Sequence, residues 1–269
     1  MTNTLDIAVV VQRYGSEIIG GAESHARMIS ERLAASGKYN VEVLTTTSRS
    51  VKWDDYFPAG VSVQNGVTIR RFRTETTRSA WFSLLHQIAK FKNLSFISNS
   101  LPSHFVEAFE QFWYRAQGPY CPSLLEAIGS NRLNHHKFIF FTYLYFPTAI
   151  GLPLVGQRSL LVPTLHEEAA LFNLGTHRLL QAARKILANT TVERDLILQI
   201  DADLHSKTSV VGVGIDVPDF TTRMAHDTKP YGLYLGRVGR AKGVHRLIQS
   251  YLKLRMAGQV DWDLSLIHI

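Results

Sequence analysis

The stretch Leu5 to Leu33, LDIAVVVQRYGSEIIGGAESHARMISERL, sets the reading of everything after it. Ile7 to Val11 is an unbroken apolar run, the pattern of a strand covered on both faces in a parallel sheet. A polar loop follows and closes on Gly20-Gly21. Ala22, Ala26, Ile29 and Leu33 then recur at spacings of four, three and four, so they share one helix face. Glu23 and Arg27 stand four apart on another face, in the order that favours an exposed pair. A strand, a glycine-bearing loop and a helix N-terminus together make an anion site, because the first helical amides have no partner and the helix dipole adds positive potential. The same glycines serve equally well to turn the chain and let the helix pack tightly. On this loop alone both readings stand.

Working outward, strand-like and helix-like patterns alternate through the first 215 residues or so. Val41 to Thr45 is a second strand, and Val61 to Phe72 holds two short strands around the turn pair Asn65-Gly66. Phe105 to Trp113 is helical. Phe138 to Thr142, Ser159 to Pro163, Lys185 to Ala188 and Ser209 to Val213 are strand-like, and Thr191 to Ile200 is a helix. This is the plan of an α/β domain with a parallel sheet and helices on both faces. Phe138 to Gln157 runs for twenty residues without a charge, about the length that spans a bilayer. Pro147, Gly151, Pro153 and Gly156 interrupt it, so it reads as a buried strand followed by loop and a short helix.

Asp216 to Pro230 is polar and aperiodic, the character of a linker. Beyond it the opening plan recurs: Tyr231 to Leu235 is a strand, Gly236-Arg237-Val238-Gly239-Arg240-Ala241-Lys242-Gly243 a basic glycine loop, and Val244 to Tyr251 the start of a helix. The expected organisation is a Rossmann-like domain over 1–216, a linker over 217–230, and the start of a second Rossmann-like domain over 231–269. Arg237 offers a planar two-pronged grip to phosphate and Lys242 a point charge. Two anion-cradling loops, one from each domain, are therefore expected to hold one diphosphate.

Composition bounds the partners. The chain has 269 residues and a formal net charge of +7, which favours anionic ligands. Its basic residues are scattered rather than blocked, so no nucleic acid is expected. Arg70, Arg71, Arg73 and Arg78 precede Trp81-Phe82 and an apolar stretch to Ile97. They read first as a solvated edge, and second as a peripheral contact at the inner face of a membrane. Cys121 is the single cysteine, which excludes an internal disulfide and fits a cytoplasmic location. Its expected role is structural. Nicotinamide binding is disfavoured, because strand two ends in Thr45-Thr46-Thr47 where an acidic residue should meet the ribose. His166 lies just past a strand end, where ligands of such sheets bind. Ala170 stands where a zinc motif would place its second histidine, so no metal is expected.

With these pieces assembled, the chain resembles family 4 of the retaining nucleotide-sugar glycosyltransferases, enzymes of two Rossmann-like domains (the GT-B fold). The matching segments are Gly20-Gly21-Ala22-Glu23 after the first strand, Pro163-Thr164-Leu165-His166-Glu167, Val213-Gly214-Ile215-Asp216, and Gly236-Arg237 with Lys242-Gly243. The resemblance implies a nucleotide diphosphate-sugar as donor substrate, no cofactor, and a glycan, lipid-linked or small acceptor. It implies catalytic roles for His166, Arg237 and Lys242, and substrate binding by Gly20, Gly21, Glu23, Glu167 and Gly236. The family's second domain normally carries two glutamates eight positions apart. After Lys242 the acidic residues here are only Asp261 and Asp263, so the chain is expected to be truncated, with foreign or misassembled last residues as one reading of Asp261 to Ile269 and its own activity small. The alternative is a non-catalytic α/β module that binds an anionic glycan or partner through its basic surface.

Overall fold

The structure is a computed structural model and describes residues 4–76, 103–130, 137–168, 171, 174–217 and 230–268. The basic and aromatic stretch from Arg78 to Ile97 and the polar segment 218–229 lie outside these residues. The chain divides into two compact units, Met1–Gly214 and Ile215–Ile269.

The first unit is built on one sheet. Its opening strand β1 (Leu5–Val10) leads into helix α1 (Gly21–Ala35), then β2 (Tyr39–Thr46), β3 (Gly60–Gln64) and β4 (Val67–Phe72). Next come helices α2 (Ser103–Gln117) and α3 (Pro122–Gly129), β5 (Lys137–Phe141), α4 (Phe146–Val155), β6 (Ser159–Val162) and α5 (Leu174–Ala182). Finally β7 (Lys185–Ala188), α6 (Thr191–Ile200) and β8 (Thr208–Val210) complete it. The strand order is β3-β4-β2-β1-β5-β6-β7-β8, and each neighbouring pair is parallel except β3 with β4.

Strand β1 shows why the apolar run is continuous. Ala8 and Val10 point into one core with Leu44, Phe138, Phe140 and Leu161, against residues of α2 to α6. Ile7, Val9 and Val11 point the other way, into a second core with Val41, Val43, Ile69 and Phe141, against Ala26, Ile29 and Leu33 of α1. A side-chain period of two thus feeds two hydrophobic cores at once, and full burial of each such side chain favours folding by roughly 1.5–3 kcal/mol. The turn between β3 and β4 follows its sequence: Asn65 (φ 50°) and Gly66 (φ 77°) both take left-handed backbone, as a tight hairpin turn matching strand twist requires.

Three expectations need correction. Glu23 and Arg27 do not form an exposed pair: Glu23 is buried and bonds to Gln12 and Arg13, while Arg27 donates to the Gly15 carbonyl. The segment after β5 is more helical than its prolines suggest. Pro147 sits in the first turn of α4, where no amide donor is needed, and Gly151 lets α3 approach, since a Cβ there would lie 2.8 Å from Ile128. Strand β8 stops at Val210, and Val213 to Val217 run on as exposed coil, although Val211 still donates to the Ala188 carbonyl. Helix α5 carries no signal that the sequence reading used. Among the described residues, no helix is long and apolar enough to cross a membrane.

The second unit is a single βαβ turn. Strand β9 (Tyr231–Gly236) leads through the basic loop to α7 (Val244–Met256), and β10 (Asp263–His268) pairs parallel to β9. Tyr251 of α7 donates its hydroxyl to the Trp262 carbonyl at 2.9 Å, and the two rings lie 5.3 Å apart.

Cys121 is buried against the sheet, and its thiol donates to the Arg73 carbonyl. Burial pushes the thiol pKa up, which suppresses the thiolate that alkylating reagents attack. Cys121 should therefore resist iodoacetamide in the folded chain and react promptly in urea. Because the folded pKa is raised, the thiol contributes stability below its ordinary pKa and loses it as pH climbs through the raised one. Rapid labelling of folded protein near pH 8 would contradict this placement.

Candidate functional site

The sheet reverses its winding between β1 and β5: β2 and β4 follow on one side of β1, and β5 to β8 on the other. At such a switch the loops after adjacent strands diverge and leave a crevice beyond their carboxyl ends. The residues there in this chain are Gln12 and Arg13 after β1, Thr142 and Tyr143 after β5, and Thr164 to Glu168 after β6.

A buried carboxylate organises the β1 side. Glu23, in the first turn of α1, accepts hydrogen bonds from Gln12 Nε2 at 2.8 Å and Arg13 Nε at 3.0 Å, and pairs with the second terminal nitrogen of Arg13. The remaining Arg13 terminal nitrogen donates to the Arg49 carbonyl. Glu23 is 6% exposed, so its charge is held by partners rather than by water. It also accounts for Gly20, whose backbone is extended (φ −172°) and suits any residue. A Cβ at Gly20 would lie 2.2 Å from the Glu23 carboxylate. Gly21 differs, because a Cβ there would meet nothing within 4 Å. Its exposed backbone at the helix start stays open to a ligand.

From Gln12 a polar row runs across the sheet edge. Thr142 Oγ1 lies 3.4 Å from Gln12 Oε1, and the Thr142 amide donates to the Val162 carbonyl of β6 at 2.9 Å. Two non-glycine residues along this edge take left-handed backbone, Thr142 (φ 65°) and Thr164 (φ 53°). Such conformations cost roughly 1–3 kcal/mol each and persist where the surroundings impose them.

His166 and Glu167 follow Thr164 on the β6 loop, and both are exposed. The loop is fastened from outside its own element. Leu165 donates its amide to Glu193 Oε1 of α6 at 2.7 Å, and Tyr143 donates its hydroxyl to Glu168 Oε1 at 2.7 Å. Glu193 Oε2 accepts from the Asn189 amide, and Thr190 Oγ1 caps the Glu193 amide. Burial pushes the Glu193 carboxyl pKa up, against the pull of amide donors from Asn189, Leu165 and Thr164 and of nearby His166. Tyr143 is likewise pushed up, first by burial and then by the Glu168 charge. The sequence reading missed Glu193. The signal was present in Thr190-x-x-Glu193, a capping-box spacing, but here the carboxylate reaches across to another loop as well as back along its own.

The remaining candidates belong to the second unit. Gly236 closes β9 with φ 154°, a conformation open to glycine and strained for other residues. Arg237, Arg240 and Lys242 follow, all exposed. A 3-10 turn over Arg240–Lys242 stands between the loop and α7, with the Lys242 amide bonded to the Gly239 carbonyl at 3.1 Å. Three cations are thus presented on one short turn. Among the described residues, no group of three His, Cys, Asp or Glu forms a metal-ligand cluster.

No protein-family model matches this chain, and no curated protein matches its sequence. Solved structures do. One, described as trehalose-6-phosphate from E. coli bound with UDP-2-fluoro glucose, aligns at 14% identity over 98% of this chain and 65% of that chain, with a TM-score of 0.50. A second, alpha,alpha-trehalose 6-phosphate synthase from Burkholderia multivorans, aligns at 12% identity over 98% of this chain and 63% of that one, with a TM-score of 0.48. The likeness is one of fold. The mostly parallel eight-stranded sheet with flanking helices is a Rossmann-like half of the GT-B fold. The chain spans 65% of the length of the E. coli chain.

The geometry separates the two glycines. Gly20→Ala should force Glu23 away from Gln12 and Arg13, lowering stability by about 2 kcal/mol through loss of buried charged hydrogen bonds. Gly21→Ala should leave stability within about 0.5 kcal/mol of the original. Urea unfolding of the two variants measures this, and equal effects would refute the steric account of Gly20.

Proposed function

We propose that the parent protein is a glycosyltransferase of the family 4 type, moving a sugar from a nucleotide diphosphate donor to a glycan, lipid-linked or small acceptor with retention of configuration. The observation that carries this reading is the Gly236–Gly243 loop: three exposed cations on a glycine-bounded turn directly after a parallel strand. The GT-B-type fold and the UDP-sugar bound to the E. coli neighbour support it.

As the glycosidic bond breaks, negative charge grows on the departing diphosphate. Fixed cations aimed at that charge lower the barrier without having to reorganise. Arg237 and Lys242 are assigned this task, with Gly236 allowing close approach to the backbone. No metal ion and no further cofactor enter this reading, since the fixed cations take the stabilising role. His166 is assigned to the donor sugar, where its ring or carbonyl steadies the positive charge at the anomeric carbon. Glu167 is assigned to substrate binding beside His166, and the open backbone at Gly21 and the neighbouring Gly20 to acceptor and donor phosphate. Glu23 serves that side indirectly, by fixing the loop. The working location is the cytoplasm, with the Arg70 to Ile97 stretch read first as a solvated edge and second as a peripheral contact at the inner face of the membrane. No nucleic acid is a partner.

Calorimetric titration of UDP into the full chain tests the proposal. Saturable binding should weaken at least about tenfold in Arg237→Ala, the loss of one charge-assisted contact, and should weaken further as salt is raised. Lys242→Ala should show a smaller effect in the same direction. Binding of a polyanion such as heparin that ignores Arg237 and His166, with no UDP binding, would instead favour the non-catalytic module.

A further inference from the structure

Two side chains outside the β6 loop do more than pack against it. The loop from Pro163 to Glu168 carries exposed His166 two residues after a left-handed Thr164, with Leu165 buried between them. Glu193 comes from α6 and takes the Leu165 amide, one residue before His166, on one carboxylate oxygen while the other oxygen takes the Asn189 amide. It is 4% exposed, so neither amide has water as a ready substitute. Tyr143 comes from the end of β5, is 1% exposed, and bonds Glu168 two residues after His166. The histidine is bracketed on both sides by buried groups that belong to different elements.

We infer that Glu193 and Tyr143 are positioning residues that hold the His166 loop in the conformation able to seat the donor sugar. The inference rests on the donor-sugar role proposed for His166. Its physical basis is geometric. Amide donors on both sides of the carboxylate need an acceptor at each oxygen, and a carboxylate supplies both. A glutamine at position 193 supplies one acceptor and one donor, so one amide would face another N–H and the loop would lose a fastening without loss of volume. Removing the Tyr143 hydroxyl deletes the second fastening and leaves the ring packed.

The test uses the full chain with Glu193→Gln, Tyr143→Phe and His166→Ala, and two probes, UDP and UDP-glucose. The ratio of their affinities isolates what the sugar adds. Glu193→Gln should reduce that ratio about tenfold while leaving UDP affinity unchanged, and the double variant with His166→Ala should be no worse than His166→Ala alone, because residues acting through one another are not additive. Tyr143→Phe should act in the same direction. A structural role alone would weaken both probes together, and full additivity with His166→Ala would overturn the inference. Amide hydrogen exchange of the unliganded Glu193→Ala variant gives a second readout: with no side-chain acceptor left at position 193, Leu165 should lose protection, and unchanged protection would overturn the inference irrespective of ligand. Should the unaltered chain bind UDP-glucose no more tightly than UDP, the donor-sugar role of His166 fails, and Leu165 exchange still decides whether Glu193 fastens the loop.

Discussion

From Ile7 to Val11 the opening strand and its exit are buried on both faces, and this constraint shapes everything around them. Ala8, Val9, Val10 and Val11 are each fully buried. A chain leaving such a strand must still satisfy its own backbone and side-chain polar groups at the sheet's edge. Its backbone is met by β2, where the Leu44 carbonyl takes the Val11 amide and the Thr46 hydroxyl donates to the Gln12 carbonyl, and its side chains are met chiefly by one carboxylate. Glu23 gathers Gln12 and Arg13 from the strand end and ties them to the first turn of α1. The turn from strand to helix is therefore set by a buried charge with its partners, and the glycine before it is small because that carboxylate occupies the space a side chain would need.

The same logic repeats along the sheet edge with different residues. After β6, Glu193 supplies from a neighbouring helix the acceptor that the Leu165 amide needs. After β5, Tyr143 meets Glu168. In each case an apolar strand ends, and a buried acid or phenol fixes the polar loop that follows. Buried polar groups of this kind add little net stability but strongly penalise other arrangements, since any alternative leaves one of them unpaired. The exposed residues of these loops, Gly21, His166 and Glu167, are left to face solvent on a rigid base. In the second unit, glycine geometry at Gly236 and Gly243 and a 3-10 turn at Arg240–Lys242 shape the strand end, and Arg237, Arg240 and Lys242 are exposed there.

Much of this was legible from residue order. The apolar runs at Ile7 to Val11, Phe138 to Thr142 and Ser159 to Pro163 could be read as strands because burial on both faces leaves no alternation. Asn65-Gly66 announced its hairpin, because few residue pairs tolerate two consecutive left-handed conformations. The candidate positions at strand ends followed from the same periodicities. Less legible were the helix at Phe146–Val155, which starts at Pro147 and runs on through Pro153, and α5, whose fragmentary pattern gave little to count.

Local chemistry thus specified the α/β alternation, the glycine turns and the cationic loop, because each depends on residues near one another in the chain. The partners of Glu23, Glu193 and Tyr143 were beyond its reach. Spacing along a helix suggested Arg27 for Glu23, yet Glu23 takes its donors from the end of β1, and Glu193 takes the Leu165 amide of the β6 loop besides the Asn189 amide before its own helix. Those choices depend on which strand ends lie side by side, and that order, β2-β1-β5-β6, exists only once the sheet has formed.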